Sequence, residues 1–201
     1  RADCLLVVPT TSPYKTVAEF MAGGKAAKQS VYFATFGAGT PGHFGAEILA
    51  HTGGFDAEPI HYRTTGDAVT AIINGDVAGA FVSTALGAAQ IKGGKMRALA
   101  TTAPKRSSLL PDVPTMAEAG YPQIDISAWF ALMAPQGTPP AILDLLARES
   151  VKSVASEDTR AKMVEAGFSV VGAGRSNTDD MLRAEATRWA AVVKASGFKG
   201  D

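Results

Sequence analysis

The sequence has little of what disulfide-stabilised and metal-binding proteins need. Among its 201 residues there are one cysteine, Cys4, and three histidines. A single cysteine cannot close an intramolecular disulfide, and three histidines without a nearby cluster of acids or cysteines give no metal-ligand spacing. Because Cys4 lies in the apolar run CLLVVP, we expect a buried structural thiol rather than a reactive one. The sequence thus predicts neither a disulfide nor a metal site.

An excess of charge is also absent, because 19 basic residues balance 19 acidic ones and the pI is about 7.0. Nucleic acids and anionic membranes attract clustered positive charge, and the sequence has no basic run, so neither is expected as the main partner. No apolar stretch reaches the ~18 residues of a transmembrane helix. A G-x-S-x-G nucleophile motif is missing too, so no catalytic centre is indicated. The 46% hydrophobic content is nevertheless enough for a core.

What the chain does have is a regular alternation of short apolar runs and helical patterns. Repeated βα units of this length predict an α/β fold with a mostly parallel sheet covered by helices. The first predicted helix starts with Thr16, followed three residues later by Glu19, which together form a capping box. After residue 104 we expect a short helix at 115–119 and an apolar run at 124–133 that crosses between two lobes as a strand. The remainder is predicted to be helical, apart from one more strand at 168–172.

A glycine-rich turn separates a predicted strand from a predicted helix in the segment YFATFGAGTPGHFGAEIL, Tyr32–Leu49. Its letters GAGTPG, Gly37–Gly42, satisfy the dinucleotide pattern G-x-G-x-x-G. A helix N-terminus exposes unpaired N–H groups and the positive end of the helix dipole, and glycines allow a phosphate or a carboxylate to approach closely. The pattern alone leaves three interpretations open: a dinucleotide site, a site for a carboxylate or other small anion, and a purely structural turn.

A dinucleotide site makes a further demand on the sequence. An acidic residue should follow the next strand, about 20 residues on, to bind the ribose. That strand ends in Tyr62 and Arg63, and the nearest acids, Asp56 and Glu58, precede it. Arg63 could instead meet a 2′-phosphate, which keeps an NADP-dependent oxidoreductase open as an alternative. Pro41 counts against this alternative, because proline removes one N–H donor from the helix N-terminus.

Six segments, taken in order along the chain, carry a family pattern. They are YKTVAEF at 14–20, GAGTPGHFGAEIL at 37–49, HYRTTGDAVTAIINGDV at 61–77, IKGGKMRALATTAPKRSSLLPDVPTMAEAGYP at 91–122, SAWFALMAPQGTPPAIL at 127–143 and RWAAVVKASGF at 188–198. Their signatures, such as K-x-R-A-L-A, L-P-D-V-P-T and A-P-x-G-T-P, are specific in combination and cover essentially the whole chain. With them the chain resembles the solute-binding receptors of tripartite tricarboxylate transporters, also called TctC or Bug receptors.

The resemblance implies a periplasmic-binding-protein-like (type II) α/β fold, in which two lobes close like a Venus flytrap on a small organic carboxylate. It implies a crossing strand at 1–10, a complete lobe 2 at 11–125 and the mostly helical C-terminal part of lobe 1 at 126–201. It also implies a periplasmic location in a Gram-negative bacterium, membrane transporter subunits as partners, no enzymatic activity and no cofactor. The glycine turn would then hold a carboxylate in place of a pyrophosphate.

The residues expected to contact the ligand are those of the turn and those at neighbouring strand ends, where open α/β sheets bind ligands, together with a tryptophan in the predicted crossing strand. They are Gly37, Ala38, Gly39, Thr40, Pro41, His43, Arg63, Thr64, Ser83, Thr84 and Trp129. The alternative for these side chains is a capping or packing role, and for Arg63 a surface ion pair. His51, His61 and Trp189 are expected to be structural.

Two departures from the family pattern bear on function. The family has roughly a hundred further residues before the position of Cys4, including a glycine-rich loop of the ligand site, and we expect that the N-terminus was processed or cut. Acids usual in the family are replaced by Ala71, Ala78 and Val82, which makes the cleft less polar. A further hypothesis is therefore a truncated fragment without ligand function, which would self-associate through exposed apolar helix faces.

Overall fold

The structure, a computed structural model, describes residues 1–196 and 198. It divides into two compact units, which we name the sheet unit (residues 2–128) and the helical unit (Arg1 with residues 129–196 and 198). The strands, all in the sheet unit, are β1 (Ala2–Pro9), β2 (Val31–Thr35), β3 (Ala57–His61), β4 (Gly79–Ser83), β5 (Met96–Thr101) and β6 (Ser127–Ala128). The helices of the sheet unit are α1 (Val17–Ala26), α2 (Pro41–Gly53), α3 (Thr65–Asn74) and α4 (Thr84–Lys92). Those of the helical unit are α5 (Pro140–Ala155), α6 (Glu157–Glu165) and α7 (Arg175–Ser196).

The sheet has the strand order β3-β2-β4-β1-β5, with β6 paired to the start of β1. β2 runs parallel to β3 and to β4, as the alternating βα pattern predicts. β1, however, is antiparallel to β4, β5 and β6, so the prediction of a mostly parallel sheet is wrong for this strand. A strand that is buried on both faces has an apolar sequence whichever way it runs, and the run CLLVVP therefore contains no information about direction.

β1 is the strand around which the core of the sheet unit forms. All four side chains of Leu5–Val8 are 0% exposed. Because successive side chains point to opposite faces of a sheet, Leu6 packs in a cluster with Phe20 of α1, whereas Leu5 packs in a second cluster with Ile72 of α3. Helices thus cover both faces of the sheet, which is the arrangement expected of an α/β fold.

Cys4 confirms the expectation of a buried thiol. It lies at the start of the apolar run of β1 and is buried. Burial, with a smaller contribution from the charge of Asp3, raises the pKa of the Cys4 thiol to about 12. The thiol is therefore neutral at physiological pH, and a neutral buried thiol is a poor nucleophile.

The start of α1 confirms Thr16 as its capping residue. The Glu19 N–H donates to Thr16 Oγ1 at 3.1 Å, which satisfies one of the N–H groups that a helix N-terminus leaves unpaired. In a standard capping box the Glu19 carboxylate would accept a hydrogen bond from the Thr16 N–H, and this bond is not formed here. The carboxylate accepts from the Lys15 N–H at 2.6 Å instead, so the reciprocal bond is displaced by one residue.

Three predicted elements do not form as expected. Residues 116–119 are turns rather than a helix, and Thr115 forms an isolated bridge with Thr101. The capping bonds between Thr115 and Glu118 are present, but Gly120, at φ +93°, ends the segment. The run 124–133 is a strand only at β6. The segment 168–172 forms a single bridge, in which the Ser169 N–H donates to the Arg1 carbonyl at 2.8 Å. Apolar composition indicated burial in these last two segments, but a strand also needs a partner strand.

The helical unit has no buried residue among those whose burial is described. Its exposed apolar side chains lie on the segment before α5, on α5 and after α6: Phe130, Leu132, Met133, Ile142, Leu145, Leu146, Phe168 and Val171. The rings of Phe130 and Phe168 meet edge to face at 5.7 Å. Within the described residues no helix is both long enough and apolar enough to cross a membrane.

Candidate anion-binding site at the carboxyl edge of the sheet

Three helices of the sheet unit begin at the same edge of the sheet. Because β2, β3 and β4 are parallel, their carboxyl ends meet at this edge. α2 and α3 start there after short turns, and α4 starts directly after β4. Each helix N-terminus presents N–H groups without intrahelical partners and carries a partial positive charge. This edge is therefore suited to an anion, and open α/β sheets bind their ligands at such an edge.

The three helices differ in how their first turns are capped. Thr64 Oγ1 accepts from the Asp67 N–H at 3.1 Å in α3, and Ser83 Oγ accepts from the Leu86 N–H at 3.4 Å in α4. Thr40, the capping residue of α2, makes no such bond. Its hydroxyl donates to the Gly37 carbonyl at 2.7 Å instead. The first turn of α2 also has no acidic residue. Among these helices, α2 is the one whose N-terminus has neither a side-chain cap nor an acid.

The glycines of the turn have two different roles. Gly37 (φ +128°) and Gly39 (φ +74°) adopt backbone conformations that residues with a side chain rarely adopt. Gly42 has a negative φ, but a Cβ placed there would lie 3.1 Å from the Phe81 carbonyl oxygen. The first two glycines therefore shape the turn, and the third allows α2 to pack closely on β4.

His43 is bonded to the turn that precedes it. The Gly39 N–H donates to Nδ1 of His43 at 3.0 Å, and the His43 residue is buried. A ring nitrogen that accepts a hydrogen bond from a backbone N–H cannot itself be protonated. The ring is therefore neutral in this arrangement, with its proton on Nε2, which lies 3.8 Å from Glu47 Oε1 one helical turn further on.

A second histidine lies against the first. The rings of His43 and His61 meet edge to face, with their centroids 5.2 Å apart. Nδ1 of His61 is hydrogen-bonded to Thr35 Oγ1 at 2.5 Å, across the ladder in which these two residues are direct partners. The carboxyl ends of β2 and β3 thus support His43 from outside its own helix.

The electrostatic environment favours the neutral forms of two titratable groups on α2, His43 and Glu47. Burial, followed by the nearby His61, lowers the pKa of His43 below 6.5. Burial raises the pKa of the Glu47 carboxyl above 4.5. The two shifts share their largest cause, since removal from water disfavours a charge of either sign.

The structure places most of the predicted contact residues at this one edge. Gly37, Ala38, Gly39, Thr40, Pro41 and His43 lie between the end of β2 and the first turn of α2, Arg63 and Thr64 follow β3, and Ser83 and Thr84 join β4 to α4. Trp129 is half-buried and belongs to the helical unit.

The side chains after β3 and β4 differ in their exposure and in whether their polar groups already have partners within the protein. Arg63 is exposed, and its guanidinium makes no ion pair or hydrogen bond with any residue among 1–196 and 198. Ser83 is also exposed. Thr84 is buried, and its hydroxyl donates to the Asp3 carbonyl at 3.0 Å. Arg63 is thus the predicted contact residue with an unused charge, whereas the Thr84 hydroxyl already has a structural partner.

Three residues that support His43 were not among the sequence candidates, namely Thr35, Glu47 and, in this role, His61. Glu47 lies four residues after His43, so helical spacing could have indicated it. Thr35 and His61 are 26 residues apart and meet only through the register of β2 and β3. No pattern within the sequence shows which residues of two strands are paired.

Two features of the turn disfavour a pyrophosphate. The Gly39 N–H already has an acceptor in His43, and Pro41 occupies the first helical position, where it contributes no N–H. No acidic residue follows β3 before α3, since residues 62–64 are Tyr, Arg and Thr.

In the part of the chain that the structure describes, no group of three or more metal-ligating side chains is found.

Comparison with known proteins confirms the resemblance found in the sequence. The model of a family described as tripartite tricarboxylate transporter family receptor matches residues 1–198. Protein BugT of Bordetella pertussis is 34% identical over 199 residues, which are 98% of this chain and 61% of that protein. The chain therefore spans less than two thirds of the length of this curated relative.

Solved structures with the same fold include two with organic acids. A protein of R. palustris solved with adipate is 26% identical, with a TM-score of 0.82, and the match covers 98% of this chain and 66% of that one. MatC from Rhodopseudomonas palustris, solved with bound malate, is 25% identical, with a TM-score of 0.75, and the match covers 96% of this chain and 66% of that one.

Proposed function

This chain belongs to the tripartite tricarboxylate transporter family of receptors, and we propose that it binds a small organic carboxylate outside the cytoplasm for delivery to a membrane transporter. The proposed ligand site is the carboxyl edge of the sheet, where α2, α3 and α4 begin. The proposal involves no catalytic step and no cofactor. It is supported by family membership and by the organic acids, adipate and malate, bound to two structural relatives.

The observation that carries the proposal is the N-terminus of α2. It lacks a side-chain cap and an acidic residue, in contrast to α3, and the preceding turn contains two glycines with positive φ. A carboxylate placed there would receive N–H donors and the positive end of the helix dipole. Arg63, exposed and unpaired with the residues that the structure describes, would supply a full positive charge for one carboxylate oxygen or for a second carboxylate.

We also propose, from the family assignment, how the chain divides into the two lobes of a receptor. The sheet unit would correspond to lobe 2, assigned to residues 11–125, with residues 1–10 as a crossing strand and residues 126–201 as part of lobe 1. Ligand binding would close the lobes, and the transporter subunits would recognise the closed form. A periplasmic location follows from the same family assignment.

The test is thermal unfolding against a panel containing adipate, malate, tricarboxylates, aromatic acids and NADP. A ligand at 100 times its dissociation constant adds about 2.7 kcal/mol to the free energy of unfolding. For a chain of this size that raises the Tm by roughly 5 °C or more. A rise with one class of carboxylate and none with NADP supports the receptor and identifies its ligand class. A rise with NADP alone contradicts it and favours the dinucleotide alternative, and no rise with any compound favours a fragment that does not bind.

A matched pair of variants tests whether this edge is the site. Arg63→Gln removes the unpaired charge after β3, and we expect the dissociation constant of the identified carboxylate to rise about tenfold or more. Lys95→Gln removes another exposed positive charge, directly before β5 at the opposite edge of the sheet, and should leave the affinity unchanged. Equal effects of the two variants would show a general electrostatic attraction rather than a site at this edge.

A further inference from the structure

We propose that His43 is a positioning residue for carboxylate binding. Its unprotonated Nδ1 accepts a hydrogen bond from the Gly39 N–H, and protonation of the ring breaks this bond, so that the N–H can donate to an incoming anion. The inference rests on the proposed function, because it concerns the same turn. It goes further in assigning a role to one nitrogen atom, and it predicts how binding depends on pH.

The direction of one hydrogen bond defines the two states. The Gly39 N–H donates to Nδ1 at 3.0 Å, and an imidazolium has a proton on both ring nitrogens and accepts none. Protonation of His43 therefore breaks this bond. With the neutral ring, the Gly39 N–H is hydrogen-bonded to Nδ1 of His43. With the charged ring, the Gly39 N–H has lost this acceptor.

The surroundings of the ring determine how readily it gains a proton. The elements packed against α2 are α1, β2, β3 and β4. β3 brings His61 against the ring at 5.2 Å, β2 brings the Thr35 hydroxyl to His61, and α2 itself brings Glu47 to 3.8 Å from Nε2. Burial and His61 both lower the pKa of His43, so the neutral, turn-holding state prevails in the absence of an anion.

An anion at the turn would reverse this preference. The imidazolium adds a positive charge beside the N-terminus of α2, and the released Gly39 N–H adds a donor, so both changes favour a bound carboxylate. By linkage, a carboxylate that binds the protonated form more tightly must raise the pKa of His43. Affinity should therefore increase as the pH falls through the pKa that His43 has with the anion bound, towards the lower pKa that burial and His61 give it without the anion. Uptake of one proton allows at most a tenfold change in affinity for each pH unit.

The first test needs no ligand. In a nuclear magnetic resonance titration of the whole chain, the ring signals of His43 give its pKa, and the Gly39 amide signal reports its hydrogen bond. We expect the Gly39 amide to shift with the same midpoint as the His43 ring. A Gly39 amide that stays unchanged while His43 titrates would overturn the proposal, whatever the result of the ligand panel.

The second test uses two variants that separate the ring nitrogens. In His43→Asn the side-chain Oδ1 is as many bonds from Cα as Nδ1, so it can accept from Gly39 but cannot be protonated. In His43→Gln the terminal atoms lie one bond further out, near the position of Nε2, so the acceptor for Gly39 is lost. We expect the Asn variant to keep the Gly39 amide shift of the neutral wild type at all pH values, and the Gln variant to lose it.

Affinity for adipate and malate, measured between pH 7.5 and 5.5, gives the functional readout. Wild type should bind the responding acid up to tenfold more tightly for each unit of decreasing pH, whereas His43→Asn should show only the titration of the acid itself and serves as its control. Equal pH profiles in the two proteins would overturn the role of His43 and leave the proposed function intact. If neither acid binds to wild type, the proposed function fails for these ligands, and the amide titration still decides the role of His43.

Discussion

The sheet unit and the helical unit place their apolar side chains in opposite ways. In the sheet unit Leu5–Val8 of β1 are fully covered by helices on both faces. In the helical unit Phe130 is 73% exposed and Leu132 is 72% exposed, and α5 and α6 contain no buried residue. Both units have amphipathic helices in their sequence, but among the residues that the structure describes every named strand belongs to the sheet unit. An apolar stripe on a helix thus indicates a face that can be buried, and tertiary structure decides whether it is.

The largest expected effect comes from truncating one leucine in each unit. Leu6→Ala removes a side chain that is 0% exposed in the centre of β1, and we expect the free energy of unfolding to fall by about 2–5 kcal/mol. Leu145→Ala on α5, where the leucine is 47% exposed, should lower it by less than about 1 kcal/mol. Urea unfolding followed by circular dichroism measures both. Equal losses would show that α5 is buried in solution and would break the comparison.

A pair of glycine substitutions compares backbone strain in the two units. Gly39→Ala forces a side chain into a conformation with φ +74°, and we expect a loss of about 1–2 kcal/mol. Gly174, before α7, has no positive φ and open space around its Cβ position, so Gly174→Ala should change stability by less than about 0.5 kcal/mol. The same urea experiment is the measurement, and a fully tolerated Gly39→Ala would contradict the geometry of the turn.

A third comparison between the two units uses the residues that precede a helix in each of them. Thr16→Ala removes the side-chain oxygen that accepts from the Glu19 N–H, which should destabilise the sheet unit by about 1 kcal/mol. Ser156 precedes α6 but makes no capping bond to it, so Ser156→Ala should have an effect of only a few tenths of that size. Unfolding midpoints in urea distinguish the two variants, and a larger loss at Ser156 would be the unexpected result.

The smallest expected effect is a pH dependence of stability in the sheet unit. Because the folded protein lowers the pKa of His43 below 6.5, the unfolded chain binds more protons in this range, and stability falls as the pH decreases from 6.5 through the folded pKa. Glu47, whose pKa is raised above 4.5, acts in the opposite direction at lower pH. Urea midpoints at pH 7.5 and 5.5 measure the change, and His43→Asn should remove the part of it that begins near 6.5.

Much of the local structure could be predicted from the sequence. The strands and helices of the sheet unit occur where the alternating pattern places them, and Thr16 caps α1 as its type and position indicate. These features depend on residues within one or two turns of each other. The predicted helix at 115–119 is wrong because the capping signals of Thr115 and Glu118 are followed at once by Gly120, which ends the turn.

Less of the candidate site could be predicted. The turn is recognisable in the sequence because its three glycines lie close together, at 37, 39 and 42, and Arg63 because it follows a predicted strand. The support of His43 by His61 and Thr35 depends on the register of two strands, and the bond between the Thr84 hydroxyl and Asp3 joins residues 81 positions apart. Such contacts are properties of the folded chain, not of any short segment.

By itself, then, the sequence determined the alternation of strands and helices, the glycine turn before α2 and the family to which the chain belongs, because all three are expressed in local residue patterns. Tertiary structure alone decided that β1 runs against its neighbours and that three helix N-termini share one edge of the sheet. It also decided that His43 is buried beside His61 and accepts from Gly39. The reason is that strand direction, register and burial arise from contacts between segments distant in the chain, which no local pattern encodes.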